Sequence, residues 1–427
     1  MRAWHSRCRP VDPRRSSDGV QRSVRRSGAM GWAKRSVLQI TGRWGGPSAA
    51  YYRSRGDGVG NGTPGGVAMS SLERARSRWI GLIDSRMRDV VSRHAPDTRT
   101  DRVAEPTADL IAGAPSHYGM MRYHLGWVDD AFEPGQSPTG KRLRPLLAIL
   151  AAEACGVDGS RALPIAVALE LLHNFTLIHD DIEDGDTHRH HRPTVWKVWG
   201  EAQGINAGDG MHVLSTLALL DLVDEGVSPA LVTDLARRLA RTSLIITEGQ
   251  HLDLEFVGLA HVTPEAYLDM IARKSAALIS CATAMGAQVA GASSEKVAAM
   301  ADFGFAMGLG FQVRDDILGI WGDADRTGKP TSDLARRKKT LPTLVALAGS
   351  EGSDRLNIAT LLASPDPSPA MVSTAREAID RSGARQHCEM LVAKYSESAR
   401  RHLQVLPDGE ARNALGDLVT YLASRDA

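Results

Sequence analysis

Residues 170–186, ELLHNFTLIHDDIEDGD, run an apolar helix into a cluster of carboxylates. Asp180, Asp181 and Asp184 form its core, with Glu183 and Asp186 beside them. On a helix, residues four apart share a face with Cβ atoms roughly 6 Å apart, so Asp180 and Asp184 project together. Like charges held that close repel, and a fold tolerates this mainly with a cation between them. The stretch has no thiol, and His179 is the one adjacent imidazole. An all-oxygen site of this kind suits Mg²⁺, which takes one or two carboxylates plus substrate phosphates and keeps several waters. A solvated helix end can carry the same letters. However, Leu171, Leu172, Phe175, Ile178 and Ile182 argue for burial. A second acidic pair, Asp315-Asp316, ends another apolar run, GFAMGLGFQVRDD. Two such ends that converge make one divalent-metal site for a diphosphate.

Apolar residues recur at i, i+3 and i+4 over segments 70–93, 106–132, 143–155, 161–183, 205–224, 229–257, 264–290, 295–321, 341–348, 369–381, 385–404 and 410–424. Gly, Pro, Asp or Ser fill the breaks, and no alternating strand stands out. Aromatics make up only 5% while Ala and Leu abound, which favours close-packed helices. The expected fold is all-α, a bundle with carboxylates pointing into its centre. No run approaches eighteen uninterrupted apolar residues, so no membrane span is expected. Cys8, Cys155, Cys281 and Cys388 lie far apart and match no metal or redox spacing. They read as core residues or free thiols in a reducing compartment, which places the protein in the cytoplasm.

The chain has 51 basic and 50 acidic residues, of which residues 1–68 hold 13 basic and 3 acidic. The remainder has 38 against 47, a net of −9, and such a body is a poor nucleic-acid binder. Residues 1–68 are rich in Arg, Gly and Ser, lack Glu and are expected to be a disordered basic extension. Arg- and Ser-rich composition also suits a transit peptide, but an over-long reading frame is the reading preferred. Met69 then starts a single domain over 69–427, with MSSLERARSRW opening on a Ser N-cap.

Two basic stretches lie inside this acidic body. GKRLRP puts Lys141, Arg142 and Arg144 ahead of an apolar helix, where basic side chains and free backbone N–H groups can clamp a phosphate. THRHHRPTVWKVWG follows the first acidic motif, with Arg189 and Arg192 flanking His190 and His191. Paired histidines invite zinc, but no cysteine is near and hard carboxylates dominate.

With both acidic motifs, the GKRLRP turn and the basic stretches, the chain resembles the trans-polyprenyl diphosphate synthases over roughly residues 115–345. The resemblance implies an isoprenoid-synthase-type bundle of about ten or more helices around a central cavity, Mg²⁺ as cofactor and a homodimer. It implies condensation of isopentenyl diphosphate with an allylic prenyl diphosphate. Lys141, Arg144 and His173 are expected on isopentenyl diphosphate. Asp180, Asp184 and Asp315 are expected on Mg²⁺, supported by Asp181 and Asp316. Arg189, Lys274 and Lys329 are expected on the allylic diphosphate, with Gln312, Ser275, Gln250 and Asp253 in the pocket. Lys339 matches a basic position of the C-terminal loop.

The chain departs from the family pattern twice. Gly319 stands where many members have the third aspartate of the second motif, with Asp323 one turn later. His190 replaces the second of two arginines, with Arg192 as the expected compensation. A terpene cyclase on the same bundle needs neither GKRLRP nor His173, and a non-catalytic partner subunit would lack the acidic motifs. Phe175, five residues before Asp180, is an aromatic position that often limits elongation in this family. With no two-residue insertion in the first motif, it implies geranylgeranyl diphosphate as product, with farnesyl diphosphate the nearest competitor.

Overall fold

Ser70 starts the first helix by capping it. Its Oγ accepts from the Glu73 N–H (3.2 Å), and its own N–H donates to Glu73 Oε2 (2.8 Å). The computed structural model describes residues 69–95, 116–135, 140–322 and 333–425. The expectations for residues 1–68, Asp323 and Lys329 lie outside them. The described helices are α1 (Ser71–Arg93), α2 (His117–His124), α3 (Leu143–Ala154), α4 (Leu163–Glu183), α5 (Val195–Trp199), α6 (Glu201–Asp224) and α7 (Pro229–Gly258). They continue with α8 (Pro264–Ile271), α9 (Ala277–Val289), α10 (Ser294–Trp321), α11 (Leu341–Gly349), α12 (Gly352–Ala363), α13 (Pro369–Arg381), α14 (Ala384–His402) and α15 (Glu410–Ser424). The all-α architecture matches the helical periodicity of the sequence. Three elements break the expected pattern: α5, α12, and a two-stranded hairpin of β1 (His188–Arg189) and β2 (Arg192–Pro193).

The core is built around α4. From Ile165 to Leu172 every side chain on it is buried, because α6, α3, α1 and α9 pack around it. By length and composition the stretch Gly159–Glu183 could cross a membrane, but two-thirds of it is buried inside the protein, as in a core helix. α10 packs along α9 and α14 in the same way. Of the cysteines, Cys281 and Cys388 are buried, Cys155 is half-buried, and all three are free thiols. Burial pushes the Cys281 thiol up to about 11, which makes it unreactive.

α4 stops in a Schellman turn. Gly185 takes φ 66° and donates to Ile182 O (3.2 Å), while Asp186 N–H donates to Asp181 O (2.9 Å). The acidic cluster therefore sits at a helix C-terminus, the negative end of the dipole, where carboxylates are least favourable. The local fold thus concentrates negative charge at one point.

Candidate active site

Asp180 is half-buried, and burial, reinforced by Asp184 and Glu183, raises its carboxyl to about 6. Across from it stands Lys274. Burial works against this ammonium, but Asp180 and Asp253 more than offset it, so its pKa is raised and it stays charged. Its Nζ donates to Asp253 Oδ2 (2.7 Å) on α7. The aim of Lys274 comes from a π-helical turn, Ala272–Ala276, between α8 and α9. That turn lies against Gly249, where an added Cβ would come within 2.3 Å of Lys274 N. Only glycine allows this approach. Gln250, next along α7, donates to Glu183 Oε2 (2.5 Å).

The second acidic end splits its pair. Asp316 is buried and accepts from Tyr267 Oη (2.8 Å), Gln312 Nε2 (3.1 Å) and Leu341 N–H (3.2 Å). Burial raises it to about 7, and its role here is to tie α8, α10 and the start of α11 together. Gln312 also accepts from Ser275 Oγ (2.8 Å), which links α10 to the π turn. Asp315 pairs with Arg425 at 2.9 Å, and that guanidinium lies 4.3 Å over the Phe311 ring. Arg425 carries no signal in the sequence that would single it out.

The two ends are bridged by residues 333–340. Lys338 Nζ lies 3.8 Å from Asp184, and Arg336 lies 3.1 Å from Asp186. Lys339 points elsewhere. Its Nζ donates to the carbonyls of Phe256 (2.5 Å), Val257 (3.0 Å) and Leu259 (2.6 Å) at the end of α7. The cations that reach the acidic end from the described part of this loop are Lys338 and Arg336.

A basic pocket lies on the far side of Asp181. This carboxylate is 1% exposed and gripped by Arg189, with Nε at 2.9 Å and Nη2 at 2.7 Å from Oδ1. Burial raises its pKa and Arg189 partly offsets the rise. Asp181 thus orients Arg189 in this arrangement. A small cavity beside the pair is lined by Tyr123, His124, Arg189, His190 and Arg192. Burial, with nearby Arg189 and His190, drops the His124 imidazole to about 3. Burial and Arg144 hold His173 well below its usual value. Arg144 itself is lowered by burial, and its Nε is a buried donor with no hydrogen-bond partner among the described residues. Both imidazoles are therefore neutral N–H donors near neutral pH.

Three basic residues of these stretches take other positions. Arg142 is 3% exposed and locked between Asp84 (2.8 Å) and Glu170 (2.7 Å). Lys141 is exposed and lies 5.7 Å over the Tyr421 ring. Arg192 donates to the carbonyls of Tyr123 (3.2 Å) and Val128 (2.8 Å) and stacks on Tyr123. It braces α2 and is not free to compensate for His190. His190 and His191 form the hairpin turn at φ 50° and 64°. His124 carries no motif in the sequence, and only the fold brings it to this cavity.

Phe175 is buried against α6, stacked on His212 (4.8 Å) and edge-on to His179 (4.9 Å). Ser243 Oγ lies 3.2 Å from His212 Nε2. An open groove of about 700 Å³ lies by Arg74 on α1, Arg400 on α14 and Asp417 on α15.

A family model described as polyprenyl synthetase matches residues 126–379. The chain is 44% identical over 257 residues to a geranylgeranyl diphosphate synthase of Mycobacterium tuberculosis, covering 60% of this chain and 71% of that protein. It is 38% identical over 321 residues to a (2E,6E)-farnesyl diphosphate synthase of Mycobacterium bovis, covering 72% and 86%. Among solved structures, a polyprenyl synthetase from Streptomyces coelicolor aligns with TM-score 0.70 and 34% identity, covering 82% of this chain and 98% of that one.

Proposed function

Because the chain belongs to the polyprenyl synthetase family, it is a trans-prenyltransferase, and we propose that it condenses isopentenyl diphosphate with an allylic prenyl diphosphate to give geranylgeranyl diphosphate. The 44% identity to a geranylgeranyl diphosphate synthase supports that product, and the farnesyl diphosphate synthase relative marks the shorter alternative. The observation that carries the reading is the separation of charge at the end of α4. Asp180 faces Lys274 on one side, and Asp181 holds Arg189 in the pocket of Arg144, His173 and His124 on the other.

Asp180, Asp184 and Asp315 would hold Mg²⁺. The crowding of half-exposed carboxylates at a helix C-terminus fits that ion. When bound, the metal neutralises the allylic diphosphate as its C–O bond ionises. Lys274, kept charged by Asp180 and Asp253, donates to the same developing charge. Gln312 and Ser275 fix the wall beside it. Arg144, with the neutral imidazoles of His173 and His124, orients isopentenyl diphosphate in the second pocket. Arg189, expected on the allylic diphosphate, is here reassigned to that pocket because it lines it beside His124. The apolar faces around Phe175 shield the carbocation from water, and no side-chain nucleophile is needed.

The same reading places the protein in the cytoplasm as a homodimer. Ile205, Val213 and Leu220 make an exposed apolar stripe on α6, with Leu244 exposed on α7, and a second copy of the chain is the partner that fits. To test the activity, purified protein is incubated with labelled isopentenyl diphosphate and each allylic primer, with and without EDTA. Mg²⁺-dependent C20 product supports the proposal. Turnover of an allylic diphosphate without isopentenyl diphosphate would point to a cyclase instead.

A further inference from the structure

We propose that Asp333 supplies, from the loop after α10, the carboxylate that the second acidic end lacks at Gly319, and that it serves the divalent metal there. The inference rests on the metal-diphosphate reading above. Position 319 lies four residues after Asp315 on α10, so the two share a face one turn apart. Gly319 offers no side chain to that face, but the space is filled. A Cβ built on Gly319 would lie 1.9 Å from Asp333 Oδ2 and 2.7 Å from its Cγ. A carboxylate therefore stands where a side chain at 319 would project, and it arrives from another element. Any residue other than glycine at 319 would displace it, so glycine here and the incoming aspartate depend on each other.

The loop backbone fixes this placement. Asp333 N–H donates to Gly319 O (3.1 Å), Lys338 N–H donates to Asp333 O (2.9 Å), and Leu334 is buried at 1% exposure. The same turn sends Lys338 toward Asp184 and Arg336 toward Asp186. It delivers cations to the first acidic end and an anion to the second. Asp333 itself is only 7% exposed, and among the described residues its carboxylate forms no hydrogen bond or ion pair. It lies near Tyr267, whose hydroxyl Asp316 and Asp253 also face. A buried carboxylate in such company is costly unless a cation joins it.

The test uses full-length protein with Mg²⁺ and farnesyl thiolodiphosphate, an allylic analogue that resists ionisation. Calorimetry gives the Mg²⁺ concentration at which half of the protein binds the analogue. Asp333→Asn keeps the shape and removes the charge, and we expect that midpoint to rise by about tenfold, the scale of lost metal-site support. The double variant Gly319→Asp/Asp333→Gly returns a carboxylate to the same face from α10 and should recover the wild-type midpoint. Recovery there is an effect that a purely structural role for Asp333 does not produce. A wild-type midpoint in Asp333→Asn overturns the inference, as does a double variant no better than Asp333→Asn. Thermal melting without metal checks both folds, and if Asp333→Asn unfolds, the double variant alone decides. If the wild-type protein shows no Mg²⁺-dependent binding of the analogue, the underlying metal-diphosphate reading fails instead.

Discussion

Asp180 is where charge, burial and chemistry meet. Its ordinary carboxyl value of 3.8 is raised to about 6, chiefly by burial, so the folded protein holds this proton more tightly than the unfolded chain does. The linkage sign follows. Whatever stability the protonated form contributes is complete below about pH 4 and is lost as pH rises through about 6. Without metal, Asp180→Asn should therefore melt higher than wild type at pH 7.5, and the gap should close by about pH 4. The same variant should lose several orders of magnitude in kcat, because the missing ligand acts in the transition state. Thermal melts across this pH range in EDTA, with steady-state rates in Mg²⁺, measure both effects. A variant that is less stable at every pH would show that Asp180 is a structural carboxylate. Phe175 raises a different question, that of chain length. Its ring is wedged between His179 and His212 on the α6 side, which agrees with a helical wheel that turns it away from the Asp180 face. If it limits elongation as the family resemblance implies, Phe175→Ala should lengthen the products, as sizing by reversed-phase chromatography would reveal. An unchanged distribution would leave the elongating chain on another path.

Among the elements, the π turn at Ala272–Ala276 is the one on which the aim of Lys274 depends. Gly249 admits its backbone, and Gly249→Ala would put a Cβ within 2.7 Å of Lys274 Cα. That variant should fold, because the contact is confined to one turn of α7. It should also lose about a hundredfold in kcat, the cost of a displacement of about 1 Å at a catalytic group. Circular dichroism beside kinetics checks this, and undiminished kcat would show that the turn tolerates the shift. The sequence suggested one continuous helix over 264–290, because apolar spacing does not register a single wide turn. The long helices were legible for the opposite reason, since each buries a regular face. α12 was missed because only Ile358 and Leu361 are buried on it, too few to make a period. At the site, the acidic ends and Lys274 could be read from their motifs. The rest depends on contacts between segments distant in the chain. Lys338 rather than Lys339 faces Asp184, Arg192 is used by the α2 carbonyls, and Arg425 comes from over a hundred residues away to reach Asp315.

In the molecule as a whole, the first helix is tied to the last. α1 packs on α15, α4 and α3, burying Trp79, Ile83, Met87, Val90 and Val91 at 2% exposure or less. Arg74 pairs with Glu410 at 2.5 Å, and Leu72 N–H reaches Asp417 at 3.4 Å. The Ser70–Glu73 capping box satisfies the free donors of α1 with residues from position 70 onward. Among the described residues, the contacts that anchor α1 are thus made by Met69 or residues after it. A chain beginning at Met69 should therefore keep its melting temperature within about 2 °C, equivalent to less than roughly 1 kcal/mol for a domain of this size. It should turn over both substrates at the full-length rate, with the Mg²⁺ requirement unchanged. Residues 1–68 bring 13 basic side chains to a body of net charge −9, so salt titration of both chains separates electrostatic contact from packing. A fall in melting temperature of about 5 °C or more at every salt concentration would show that residues before Met69 pack on the bundle.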